Sequence, residues 1–114
     1  MIRPSAKYWV QKLELTTHVK VGSFKEVYRS PLVPNRLQLP AEFSGDRNVS
    51  TSIYFLLEQG QFSAFHRIAS DELWHFYFGD PLIIYEIERN GTLKEHLLGN
   101  NPENNESFQC VVIA

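Results

Sequence analysis

Gly60-Gln-Phe-Ser-Ala-Phe-His66-Arg-Ile68-Ala-Ser-Asp-Glu72-Leu-Trp-His75-Phe-Tyr-Phe-Gly79 is the stretch on which the reading of this chain turns. Two runs of aromatic and β-branched residues flank the polar triplet Ala69-Ser-Asp71, a pattern that predicts two strands joined by a turn. Alternate side chains of a strand share a face. A strand over 62–68 therefore groups Phe62, Ala64, His66 and Ile68, and the parity of 72–78 groups Glu72, Trp74, Phe76 and Phe78. With both sets turned inward, His66 and Glu72 meet among aromatic rings, the mostly apolar setting with a few convergent polar groups that a small-molecule site takes.

Working outward, the same alternation continues. Strands are expected at about 51–58, 82–88, 92–98 and 107–113, beside 62–68 and 73–78, with punctuation at Glu58-Gln-Gly60, Gly79-Asp-Pro81, Asn90-Gly91 and the polar segment from Gly99 to Glu106. Asn90-Gly91 is the strongest turn signal, since both residues tolerate the positive φ of a two-residue hairpin loop. Residues 23–30 also alternate, with Phe24, Glu26 and Tyr28 on one side and Lys25, Val27 and Arg29 on the other, before Pro31, Pro34 and Pro40 break the pattern. Ser5 can cap a short helix through about Leu13, whose spacing gathers Ala6, Trp9, Val10 and Leu13. Many short strands with regular punctuation make an all-β, antiparallel sandwich or barrel with a short N-terminal helix. No internal repeat or linker interrupts the 114 residues, which read as one domain.

The glycine, histidine, glutamate and glycine of the opening stretch resemble the first signature of the cupin superfamily: Gly, five residues, His-x-His, three or four residues, Glu, six residues, Gly. Every spacing matches, and Ile68 replaces the second histidine. Thr51-Ser-Ile-Tyr-Phe-Leu-Leu-Glu58, Phe65-His-Arg67, Asp71-Glu-Leu-Trp-His-Phe76 and Gly79-Asp-Pro-Leu82 narrow the likeness to the cupin-5 group, DUF985. The resemblance implies an antiparallel β-barrel or jelly roll. It also implies a second signature, with Pro-x-Gly and a further histidine, which is missing after His96, and more chain after the strand at Cys110 to Ala114. A jelly roll shortened at that side would expose a strand edge, and a homodimer is the expected way to cover it.

In this pattern His66 is a candidate general base or acid near neutral pH, and Glu72 its orienting group or partner acid. The bland alternative is a buried hydrogen bond between the two. Ser63, Trp74, Phe62, Phe76 and Tyr28 are candidates for the rim or wall of a ligand site, against ordinary packing. His75 has the opposite parity to Glu72 and joins the site only through a bulge. His96 sits among alternating charges in Thr92-Leu-Lys-Glu-His-Leu97, as on a solvated hairpin face. Asp71 is read as fixing the turn before Glu72, and Arg29 and Arg67 as surface or ion-paired residues. His18 precedes Gly22 where the family usually reads His-Pro-Glu-Gly-Gly, so Val19, Lys20 and Val21 depart from it.

With Ile68 in a ligand position, parity offers only two metal ligands, so no metal or other cofactor is expected. The leading reading is a barrel that binds a small organic molecule such as a sugar- or acid-like metabolite, although neither the residues nor the resemblance names the substrate. Metal-independent isomerisation or epimerisation by a His-Glu pair is the chemistry read here, by fold-level analogy with metal-free sugar epimerases of the cupin superfamily. The alternatives are a non-catalytic binding or sensing module, or, less favoured, a metal-dependent enzyme. A net charge of -2 and the absence of a Lys/Arg cluster interleaved with aromatics remove the driving term for nucleic-acid binding. No stretch approaches a membrane span, and a single cysteine, Cys110, in the apolar run Phe108-Gln-Cys-Val-Val-Ile113 reads as a buried thiol of a cytoplasmic protein.

Overall fold

The alternating pattern folds into seven short strands and one helix in the computed structural model, which describes residues 3–18, 21–32 and 50–114. Pro34, Pro40, Val19 and Lys20 lie outside these residues. The chain falls into two compact units, Met1–His66 and Arg67–Ala114.

In the first unit, α1 (Ala6–Lys12) starts where Ser5 accepts a hydrogen bond from the Tyr8 amide at 3.2 Å, satisfying one of the orphan donors of a helix start. Ala6, Trp9, Val10 and Leu13 are the less exposed face, as the helical spacing requires. Three strands then form an antiparallel sheet in the order β1 (Thr16–His18), β2 (Gly22–Arg29), β3 (Thr51–Leu56). The register pairs Phe24 with Phe55 and Glu26 with Ile53, then shifts between Glu26 and Tyr28. The simple alternation expected through Arg29 therefore stops at Val27, which is the extra residue of a bulge. Strand β1 had no sequence signal: three residues of Thr-Thr-His carry too little apolar periodicity to show one.

Gly22 makes the tight β1–β2 return possible. Its φ is +112°, and a Cβ there would stand 2.6 Å from the Leu56 carbonyl oxygen. Next to it, Ser23 is 1% exposed and its hydroxyl donates to Thr17 Oγ1 at 3.1 Å, which satisfies a buried polar group on the more enclosed face of the sheet.

The strand expected over 62–68 is absent: residues 61–68 are irregular. Local bonds take the backbone groups that a ladder would need. Gln61 N donates to Glu58 O at 3.0 Å, its side chain accepts from Glu58 N at 2.9 Å, and His66 Nδ1 bonds Ala64 O at 2.9 Å. Parity therefore does not group Phe62, Ala64, His66 and Ile68.

In the second unit, β4 (Glu72–His75) pairs antiparallel with β7 (Gln109–Val112), and β5 (Leu82–Ile87) pairs with β6 (Leu93–Leu98). These strands lie within the expected runs and are shorter, except that β4 starts one residue earlier. The β5–β6 loop also differs from the expected two-residue form. Glu88 N bonds Thr92 O, Gly91 N bonds Glu88 O, and Gly91 alone takes positive φ (+86°), the three-residue loop of a turn followed by a left-handed residue. Asn90 instead accepts from the Thr92 amide through its side chain. Between β6 and β7, Asn101 caps a 3₁₀ turn (Pro102–Asn104), and the buried Glu106 carboxylate accepts from Asn101 N and Asn104 Nδ2. Asp71 does not fix the turn before Glu72; its carboxylate accepts from the Ala114 amide at 2.9 Å and holds the far end of β7.

Candidate functional site

An apolar groove of about 450 Å³ opens on one face of the first unit's sheet, within the size range of small-molecule sites. Val21, Phe24, Ile53, Phe55, Ser63, Ala64, Phe65 and His66 line it. The sheet supplies the floor, because direct pairing of Phe24 with Phe55 and of Glu26 with Ile53 puts these side chains on one face. The irregular segment 63–66 supplies the wall that carries the polar groups.

His66 is exposed at this groove. A carbonyl oxygen only accepts, so at the 2.9 Å contact with Ala64 O it is His66 Nδ1 that donates, which orients the ring. His18, outside the lining, stacks on Phe24: its ring lies 5.3 Å from that of Phe24, with 6° between the planes. Glu26 shares this face, and its carboxylate is held by Arg29 Nε at 2.6 Å, an ion pair that fits the surface or paired role expected of the arginine.

Of the residues that the sequence singles out, the groove brings together Ser63 and His66. Phe62, 69% exposed, and Tyr28, beyond the bulge, are not among its lining residues. Glu72 and Trp74 belong to the second unit, where they share the less exposed face of β4 opposite Val112 and Cys110. Phe76 follows them with its amide bonded to Phe108 O at 2.9 Å. His75 lies on the other, exposed face and stacks against Tyr77, with the ring centroids 6.4 Å apart, as its parity predicts.

Two groups escaped the sequence reading. The floor residues Phe24, Ile53 and Phe55 were visible as strand residues, but only the register shows that they share a face. His96 is not on a solvated face: its Nε2 stands 2.8 Å from Glu86 Oε1, and both side chains are 11% exposed. The Lys94-Glu95 charges beside it drew the wrong inference, because they lie at the exposed end of β6 while His96 faces Ile84 across the hairpin.

The donor set does not fit a cupin metal. Ile68 stands where the second imidazole would be, and among the described residues no three His, Cys, Asp or Glu side chains come together in a way that could hold an ion. Among the described residues, no helix is long and apolar enough to cross a membrane.

One short helix, antiparallel sheets and the motif around His66 define a cupin-like β fold. The chain belongs to the Cupin superfamily (DUF985), whose family model matches residues 7–114. Two solved structures are similar to it. A hypothetical protein from Leishmania major is 28% identical with a TM-score of 0.83, over 96% of this chain and 65% of that one. A protein from Shewanella oneidensis is 35% identical with a TM-score of 0.81, over 97% of this chain and 65% of its own. The chain thus spans slightly less than two thirds of the length of these relatives. Among curated proteins none matches.

Proposed function

We propose that this chain binds a small organic molecule in the groove of its first unit, with His66 as the polar group that meets the ligand. The observation that carries this reading is position: His66, whose ring is oriented by a 2.9 Å bond from Nδ1 to Ala64 O, lines a cavity of ligand size. An imidazole at that position would accept a proton from a bound ligand and return it at another position, which is the core of an isomerisation or epimerisation.

A second reading, binding or sensing without turnover, has its own support. His66 is exposed, whereas catalytic bases are commonly tuned by exclusion of water. Cytoplasmic action as a homodimer completes the proposal.

The test pairs two substitutions. His66→Ala is expected to abolish ligand binding while the melting temperature stays near wild type. Trp74→Ala, at a half-buried position, should cost about 2 kcal/mol, below the 3–5 of a fully buried aromatic. If His66→Ala unfolded the protein, or left binding intact, the histidine would be structural and the reading wrong.

A further inference from the structure

We infer that Asn90 is a site of spontaneous deamidation in the folded protein, its side-chain amide converting to isoaspartate and aspartate on the β5–β6 loop. The site lies in the second unit and is independent of the groove. The chemistry is intramolecular. The main-chain nitrogen of Gly91 loses its proton to water or hydroxide and adds to Asn90 Cγ, the Cγ–Nδ2 bond breaks, and ammonia leaves with a proton returned by the solvent. Water then opens the succinimide at either carbonyl, so the balance is one water in and one ammonia out. A glycine after the asparagine is the favourable case, because no side chain crowds the attacking nitrogen. Asn90-Gly91 is the only Asn-Gly pair in the sequence.

The loop geometry prepares this step. Asn90 and Gly91 are both exposed, so solvent reaches them. Thr92 N donates to Asn90 Oδ1 at 2.9 Å, which brings the carboxamide forward over Gly91, the residue between the two. A main-chain N–H only donates, so the same contact fixes the orientation of the amide and makes Nδ2, the departing group, its other end. As Gly91 N adds to Cγ, negative charge develops on Oδ1, and the Thr92 N–H already stands at the distance of an oxyanion donor. One contact opposes the step: Gly91 N donates to Glu88 O at 2.8 Å. A single exposed turn bond of that kind slows the reaction by about tenfold at most.

Two other asparagines of the same unit supply the contrast. Asn101 makes the same kind of turn, its Oδ1 accepting from Glu103 N at 3.2 Å, but the next residue is Pro102, whose ring nitrogen has no proton to lose and does not attack. Asn104 is followed by Asn105, which carries a side chain beside the attacking nitrogen, and its Nδ2, the group that has to leave, is held by the buried Glu106 carboxylate at 2.8 Å. Asn90 combines an attacking amide, an unhindered glycine and a donor for the developing oxyanion.

The experiment incubates the whole folded chain in mildly alkaline buffer, digests samples in acid, and follows the amide-to-acid mass shift at each asparagine. A protein isoaspartyl methyltransferase with labelled S-adenosylmethionine reports isoaspartate separately from aspartate. A synthetic peptide of residues 86–95 gives the rate of the same sequence without the fold. The mass shift and the methyl label are expected at Asn90, at a rate no more than about tenfold below that of the peptide. Asn101 and Asn104 should stay unmodified over the same time. Asn90→Gln, whose longer side chain disfavours the five-membered ring, should remove the label. A native rate further below the peptide than tenfold would overturn the inference, because the Glu88 bond would then lock the loop against attack. Modification of Asn101 or Asn104 ahead of Asn90, or undiminished labelling in Asn90→Gln, would overturn it as well.

Discussion

His96 and Glu86 face each other diagonally across the β5–β6 hairpin, with Nε2 and Oε1 2.8 Å apart and each side chain 11% exposed. Burial makes this pair matter for stability. A hydrogen bond that is nearly removed from water leaves an expensive orphan when one member is deleted. His96→Ala should therefore destabilise the protein by about 1–3 kcal/mol, read as a shift in urea midpoint at unchanged slope. His96→Leu combined with Glu86→Leu, which removes both polar groups, should recover part of that loss. Equal midpoints for wild type and His96→Ala would show that the pair contributes nothing.

Gly22 should tolerate no side chain. At φ +112° an alanine is strained, and its Cβ would press on the Leu56 carbonyl oxygen at 2.6 Å, a backbone atom that cannot swing aside. Gly22→Ala is expected to cost more than about 1 kcal/mol and to loosen the β1–β2 return. Thermal denaturation measures it, and a melting temperature equal to wild type would contradict the argument.

Cys110 is 8% exposed, and burial raises its thiol pKa by disfavouring the thiolate. The sign of the linkage follows. The folded state prefers the neutral thiol, so this contribution is complete below the unfolded thiol's pKa and is lost as pH rises through the folded value. Between about pH 7 and pH 10 wild type should lose more stability than Cys110→Ala, a window set by the ordinary thiol pKa of about 8.5. Iodoacetamide should likewise label Cys110 slowly in native protein and fast in urea.

Self-association is expected through the second unit. Leu73 pairs with Val111 on the outer face of β4–β7, Ile113 follows in the same parity, and all three are exposed. Such a surface favours a partner. Light scattering should give a dimer or larger, and Leu73→Lys should shift it toward monomer. A monomer at high concentration would count against this.

Elemental analysis of protein purified without an affinity tag should find no stoichiometric transition metal, because His66 has no second imidazole at position 68 beside it. Near-stoichiometric zinc, nickel, manganese or iron that vanished in His66→Ala would restore the metal-dependent reading.

Residue order alone determined the antiparallel β class, the helix capped by Ser5, the buried Cys110 and the opposite facing of His75 and Glu72. Each of these follows from local periodicity or capping, which nearest neighbours in the chain express. Only the tertiary structure decided the rest. The segment carrying His66 alternates like a strand, yet Glu58, Gln61 and Ala64 draw its backbone into local bonds, and no periodicity reports that competition. The register of β2 against β3 selects which aromatics face the groove, and the register of β5 against β6 brings Glu86 to His96, ten residues away. Pairing across strands depends on which residues stand opposite one another, a property of two segments at once that neither segment encodes by itself.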